Sequence, residues 1–256
     1  MDKVLRRRRN TVLGVVLIVC LAFLLYLAGQ KLPVDDTMAE IDPVTVVEYD
    51  AETDEFTDYL GETVSASPLA LDELHKLLVK DWAAHDGYSR DKFLSSGNWN
   101  KWNDCNTREK ILGRDLDEII YDGNGCTVLS GILHDPYTGK TINFTRGSST
   151  SSAVQIDHVV ALSNAWATGA QDLDSATRNR FANDDLNLLA VDGPANMQKS
   201  DNDASAWLPS NKGFRCEYVA RQIAVKVKYA LWLRLAEFEA MNNVLSSCPE
   251  QPMPTP

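Results

Sequence analysis

Three sets of polar residues, in a fixed order along the chain, have types and spacings that could do chemistry: Asp157-His158, then Asn187, then Asn196. Asp157-His158 lies in VQIDHVV (154–160), a run rich in β-branched residues that reads as a strand. Asn187 opens a second apolar strand over 186–191, and Asn196 follows Asp192-Gly193-Pro194 at the start of a short helix over 195–200. Neighbouring side chains on a strand point to opposite faces. Asp157 and His158 therefore do not form the carboxylate–imidazole bond of a serine-type triad unless the strand ends or bends there. The arrangement suits a division of labour, with one residue on a metal ion and the other on a water. Each residue alone has a plainer reading: a half-buried strand histidine, a strand-end cap, a residue near a helix N-cap. Only the ordered set points to chemistry.

These residues must be positioned by the elements around them. Upstream, Leu71, Leu74, Leu77, Leu78 and Trp82 fall on one face of a helix starting near Leu69. Thr107 can cap a second helix reaching about Tyr121, with Ile111, Leu112, Leu116, Ile119 and Ile120 as its buried stripe. CTVLSGIL (126–133) and KTINFTR (140–146) read as strands joined by the turn DPYTG. Between Asp157 and Asn187, ALSNAWATG and SATRNRFAN suggest two short helices, the second capped by Ser175. One long helix is expected from about Phe214 to Leu245.

At the N-terminus, DKVLRRRR precedes an uncharged apolar run over 11–28. Eighteen residues at about 1.5 Å rise span roughly 27 Å, close to the hydrocarbon thickness of a bilayer. Arg6 to Arg9 should keep the N-terminus in the cytoplasm and send the remainder across. The organisation expected is a basic segment (1–10), a transmembrane signal anchor (11–29), an acidic stalk (30–66) in which 44–49 could pair as a strand, and one domain (67–256). A cleaved signal peptide is the alternative, although Tyr26 and Leu27 are poor at the −3 position of the candidate cleavage sites. In both cases the domain ends up outside the cytoplasm. With Cys20 in the apolar run, Cys105, Cys126, Cys216 and Cys248 remain; no C-x-x-C pair suggests zinc. Two disulfides suit an oxidising compartment. Three pairings are possible, of which Cys105–Cys126 with Cys216–Cys248 closes the shortest loops; four free thiols is the remaining alternative.

The net charge of −11 argues against nucleic-acid binding at first sight, but its distribution matters more. Residues 34–75 hold 13 acidic side chains and no Lys or Arg, whereas from Lys76 onward 19 basic residues face 22 acidic ones. Within 194–234 the balance reverses to seven basic against three acidic. Tight non-specific DNA binding is not expected from such a field.

IDHVVAL followed by LNLLAVDGPANMQKSD resembles the HNH nuclease motif, the ββα-metal fold. A longer stretch, from Tyr88-Ser89-Arg90 through DPYTGK, FTRGSSTSSAVQIDH and the paired cysteines, is similar to a secreted branch of HNH proteins related to the nuclease domain of modification-dependent restriction enzymes. The resemblance covers about residues 85–248. It implies an α+β fold: a ββα-metal core (153–203) inside a mostly helical, disulfide-stapled domain. It also implies roles. Asp157 and Asn196 would be oxygen ligands of a divalent ion, His158 the general base, and Asn187 the holder of the loop that fixes the His158 ring. Beside the resemblance, Arg146 and Lys199 could reach a substrate phosphate, with a solvated charge as the plainer alternative for each. The HNH pattern has His as its last ligand; Asn in that place favours Mg²⁺, or Mn²⁺, over Zn²⁺. The substrate implied is nucleic acid, DNA ahead of RNA, cut by a monomer to leave 5′-phosphate and 3′-hydroxyl ends. Two rival classes stay open: an inactive HNH-like scaffold acting as an anchored binding or envelope module, and a serine-type hydrolase, weakened because Ser163 in LSNAW is not in a nucleophile elbow. His75, His85 and His134 lack metal-ligand spacing and receive no role.

Overall fold

The computed structural model describes residues 67–94, 98–102 and 105–254, together with the backbone of three short strands between 48 and 64. The chain divides into two compact units, 1–65 and 66–256. In the first, β1 (Glu48–Asp50) pairs antiparallel with β2 (Glu55–Thr57), and β2 with β3 (Thr63–Val64). The paired strand thus overlaps the end of the expected 44–49 segment. Residues 11–29 and Cys20, where the membrane anchor is expected, lie outside the described residues. Among the described residues no helix is long and apolar enough to cross a membrane.

The second unit is mixed α+β. After α1 (Ala70–Lys76) come β4 (Lys101–Trp102), β5 (Cys105–Asn106) and α2 (Thr107–Asp115). A three-stranded antiparallel sheet follows, β6 (Leu116–Tyr121), β7 (Val128–His134) and β8 (Thr141–Thr145). Next are β9 (Val154–His158), α3 (Leu162–Ala167), α4 (Ser175–Ala182), β10 (Leu188–Asp192), α5 (Gly193–Lys199), α6 (Arg215–Lys228) and α7 (Leu235–Leu245). Disulfides join Cys105 to Cys126 and Cys216 to Cys248, the shortest-loop pairing. The second ties the first turn of α6 to the chain just beyond α7.

The element that carries the site is the antiparallel pair β9–β10, with Asp157 opposite Leu189 and His158 opposite Leu188. Every residue of β10 is buried because the strand pair is covered on both faces. Leu189 and Val191 pack with α1, α6 and α7, whereas Val154, Ile156, Leu188 and Ala190 pack with α2 and the three-stranded sheet. That is why 186–191 reads as continuous apolar rather than alternating sequence. β10 pairs with β9 alone, so the amides on its far edge need other partners. Asp115 accepts from Ala190 N at 2.7 Å, and Asp135 accepts from Asp192 N at 2.8 Å. At the strand end, the Asp192 carboxylate caps α5 by accepting from Ala195 N at 2.9 Å. Gly193 then passes so close to the Ser152 carbonyl that a Cβ would collide with it.

Four expectations about elements need correction. The helix beginning at Thr107 stops at Asp115, with Asn106 as its cap, accepting from Glu109 N at 3.1 Å. Residues 116–121 turn into β6, and Ile120 is exposed rather than buried. Pairing with β7 outweighs the apolar helical spacing here, at the cost of register irregularities around Glu118, whose φ is 49°. The expected single helix over 214–245 is two. α6 closes with Leu231 N donating to Lys226 O and Ala230 N to Val227 O, a Schellman-type end with Ala230 at φ 52° in the position usually given to glycine. The first helix ends at Lys76, because Leu78 and Lys80 exchange backbone hydrogen bonds with Leu233; Trp82 instead lies under the Arg234 guanidinium at 4.0 Å. Finally, α4 is capped by Asp174, which accepts from Thr177 N, not by Ser175.

Candidate active site

Asp157, His158 and Asn196 line one cleft of about 740 Å³, together with His85, Tyr88, Arg90, Trp99, Arg108, Gln155, Ser163 and Asp201. That volume is in the range of small-ligand sites. β9 presents its last two residues to opposite sides, and their partners differ accordingly.

Asp157 is buried. Its Oδ2 accepts from the Tyr137 hydroxyl at 2.5 Å and its Oδ1 from Lys199 Nζ at 2.9 Å. Burial pushes its carboxyl above the ordinary range, against the opposing pull of Lys199 and Tyr137. A carboxylate has about four acceptor positions, so with Tyr137, Lys199 and the His158 backbone amide against it the group still has room for a further partner. On α5, Asn196 donates through Nδ2 to Gln155 Oε1 at 2.9 Å. That bond orients the amide and leaves Oδ1 with no hydrogen bond among the described residues. One anionic and one neutral oxygen donor on the same cleft fit a hard divalent cation that completes its shell with water and phosphate oxygens. They do not fit a closed nitrogen–sulfur cage, and among the described residues there is no group of three or more His, Cys, Asp or Glu that could hold a metal.

His158 approaches the Ala182 carbonyl with Nε2 at 2.9 Å. A carbonyl can only accept, so Nε2 carries the hydrogen and Nδ1 is the free acceptor. Burial lowers the imidazole to about 3, the Ala182 bond only partly opposing it, and the ring is neutral at physiological pH. Trp99 stacks on it, ring centroids 5.3 Å apart. Asn187, wholly buried in a 3-10 turn just before β10, does not touch the cleft. Its Oδ1 accepts from Val160 N at 2.8 Å, its Nδ2 reaches Val160 O and Phe181 O, and its backbone carbonyl accepts from Val159 N. It thereby ties the chain just after His158 to the end of α4, which carries the carbonyl that holds the His158 ring.

The two residues expected to contact phosphate do not line the cleft. Arg146 donates to both Glu109 oxygens, at 2.7 and 2.6 Å, and to Val128 O; it holds β8 and β7 to α2. Lys199 is 0 % exposed and donates to Asp157 and to the His158 carbonyl. A buried carboxylate requires a compensating charge, and this lysine supplies it. Along α6, Lys226 is likewise buried, against Glu237.

The family described as "GmrSD restriction endonucleases, C-terminal domain" matches residues 85–244, a span that contains all of these cleft residues. The chain belongs to that family. Among curated proteins, an "Uncharacterized secreted protein" of Arthroderma benhamiae is 39% identical over 181 residues, covering 68% of this chain and 82% of that one. No solved structure matches.

Within this GmrSD C-terminal domain, Trp99, Arg90, Arg108 and the His85–Ser163–Asp201 group are the cleft residues that sequence reasoning passed over. Arg90 stood inside the resemblance, in Tyr88-Ser89-Arg90, without a role. Arg108 donates to Ser151 O and Val154 O, which bends it from α2 to the start of β9. Nothing local in the sequence marks His85, Arg90, Trp99 or Arg108, because each enters the cleft from a segment far upstream of β9.

Proposed function

We propose that this domain is a divalent-metal-dependent endonuclease of the HNH, or ββα-metal, type, hydrolysing phosphodiester bonds of DNA outside the cytoplasm. The observation that carries the reading is the cleft itself: Asp157, His158 and Asn196 line one space on a strand–strand–helix unit, and His158 is anchored so that Nδ1 alone is free. Membership of a restriction-endonuclease domain family supports the same reaction class.

In this reading Asp157 and Asn196 hold the ion, Mg²⁺ or Mn²⁺, and their neighbours set its ligands. Lys199 and Tyr137 fix the Asp157 carboxylate; Gln155 fixes the Asn196 amide. When bound, the cation neutralises phosphate charge and acidifies the attacking water. His158 Nδ1 takes that water's proton, its ring held by the Ala182 carbonyl and the Trp99 face. Asn187 keeps the strand end and that carbonyl in register. Arg90 and Arg108 are the cleft's guanidinium groups for substrate phosphates.

The export signal is the basic start with the apolar run at 11–28, acting as a retained anchor or a cleaved leader; N-terminal sequencing of the mature protein distinguishes them. The relative's description as secreted and the two disulfides agree with an extracytoplasmic site. The test is incubation of the purified domain with plasmid DNA and Mg²⁺, repeated with EDTA and with His158→Ala. Cleavage stopped by both is expected. Cleavage that survives His158→Ala removes the assigned base, and a protein inert with every divalent ion on DNA and RNA is the inactive scaffold instead.

A further inference from the structure

The cleft contains a second histidine, with a different support. His85 Nε2 lies 2.8 Å from Ser163 Oγ, and Ser163 Oγ donates to Asp201 Oδ2 at 3.0 Å. A serine hydroxyl has one hydrogen, and a carboxylate only accepts. Ser163 therefore gives its hydrogen to Asp201 and must accept from His85, so Nε2 of His85 carries a hydrogen and Nδ1 is the nitrogen left for another partner. The Tyr88 ring, 4.9 Å away between centroids, packs against the His85 imidazole.

The two histidines are complementary. His158 is buried and gives its Nε2 hydrogen to the Ala182 carbonyl, which leaves Nδ1 as an acceptor. His85 is exposed, and its Nε2 hydrogen is held through one hydroxyl by the Asp201 carboxylate, which leaves Nδ1 as the nitrogen that can hand a proton to a group in the cleft. Both line the same cleft. A hydrolysis that removes a proton from water on one side of phosphorus must return one to the departing oxygen on the other.

We propose that His85, supported by Ser163 and Asp201, is the general acid that protonates the leaving 3′ oxygen. This rests on the nuclease reading above. His158 Nδ1 takes one proton from water as the water oxygen bonds to phosphorus. The P–O3′ bond breaks, its electron pair stays on O3′, and Nδ1–H of His85 moves to that oxygen. His85 is left neutral, still donating through Nε2 to Ser163. Water and phosphodiester become a 5′-phosphate and a 3′-hydroxyl, and the two imidazoles return to their starting states through solvent.

The test compares an oligonucleotide with an ordinary scissile linkage and one in which sulfur replaces the bridging 3′ oxygen, with Mn²⁺ in both. A thiolate leaves without a proton donor. His85→Gln should slow cleavage of the oxygen linkage by about 100-fold or more and be restored toward the wild-type rate on the sulfur linkage. Asp201→Asn should show the same pattern with a loss of about tenfold, and His158→Ala should be slow on both. His85→Gln cutting the oxygen linkage within about threefold of wild type overturns the proposal. So does a large loss with no recovery on sulfur, which marks a binding or structural role. A wild-type protein that cuts neither substrate sinks the nuclease reading instead, a result these variants cannot produce.

Discussion

Replacing Lys199 with methionine isolates the interaction at the centre of the site. Methionine keeps an unbranched stem of similar length, so packing changes little. What disappears is the ammonium, with its bonds to Asp157 Oδ1 and the His158 carbonyl, both 2.9 Å. Lys199 is 0 % exposed and the Asp157 side chain 6 % exposed, so water cannot replace the lost charge. Removing one partner of such a pair costs about 3–5 kcal/mol. The carboxyl can escape by binding a proton, which from its ordinary value of 3.8 to pH 7 costs about 4 kcal/mol, at about 1.36 kcal/mol per pH unit. That sets the ceiling, and burial, which already raises this carboxyl, keeps the true loss beneath it. For a domain of this size about 3 kcal/mol lowers Tm by roughly 6–12 °C. The measurement is urea and thermal unfolding in EDTA, so that ion binding does not add to stability. The Lys199→Met/Asp157→Asn double variant, with no buried charge, should recover at least about 2 kcal/mol relative to the sum of the single losses. A single variant within about 1 kcal/mol of wild type, or strictly additive losses, refutes the claim that Lys199 compensates Asp157.

Three further outcomes are expected. Gly193→Ala should cost about 2 kcal/mol in urea unfolding, since the new Cβ meets the Ser152 backbone carbonyl and not a movable side chain. Asn187→Ala leaves Val160 N without its acceptor and should cost about 2–3 kcal/mol; cleavage should fall even at temperatures where the variant remains folded, as checked by circular dichroism beside a plasmid assay. Burial pushes the Asp203 carboxyl up, but the Ser205 hydroxyl and the Arg234 guanidinium outweigh it and hold the group below its ordinary 3.8. A depressed acid stabilises the fold above its unfolded value, and that stability is lost as pH falls through the folded value. Acid unfolding below about pH 4 should therefore flatten in Asp203→Asn, and an unchanged acid limb would count against the pairing.

Much of the architecture was legible because it is local. The β-branched run before Asp157, the apolar 186–191 run and Asp192-Gly193-Pro194 each carry their own structural preference, and together they spell two strands and a helix. The shortest-loop disulfide pairing was legible for the same reason. Where local preference was divided, neighbours decided. Leu116 to Tyr121 fits a helix stripe as well as a strand, and only the open edge of β7 selects the strand. Residues 229–234 carry neither Gly nor Pro, so nothing in the sequence marked the end of α6; the α6–α7 packing and the buried Lys226–Glu237 pair require the chain to turn there.

By itself, then, the sequence determined that Asp157 and His158 lie on one strand, that Asn187 stands at the start of a second apolar run and that Asn196 lies on the helix after it. Whether a polar side chain reaches the cleft was a tertiary decision. Arg146 and Lys199 looked like phosphate contacts and turned inward, because Glu109 and Asp157 are buried acids whose nearest available cations they are. His85, Trp99 and Arg108 looked like background and reached the cleft, because α2 and the chain before it pack against β9 and α3. The charge and size of a residue are written in its letter, whereas the partner it must neutralise is chosen by burial, which no short stretch of sequence contains.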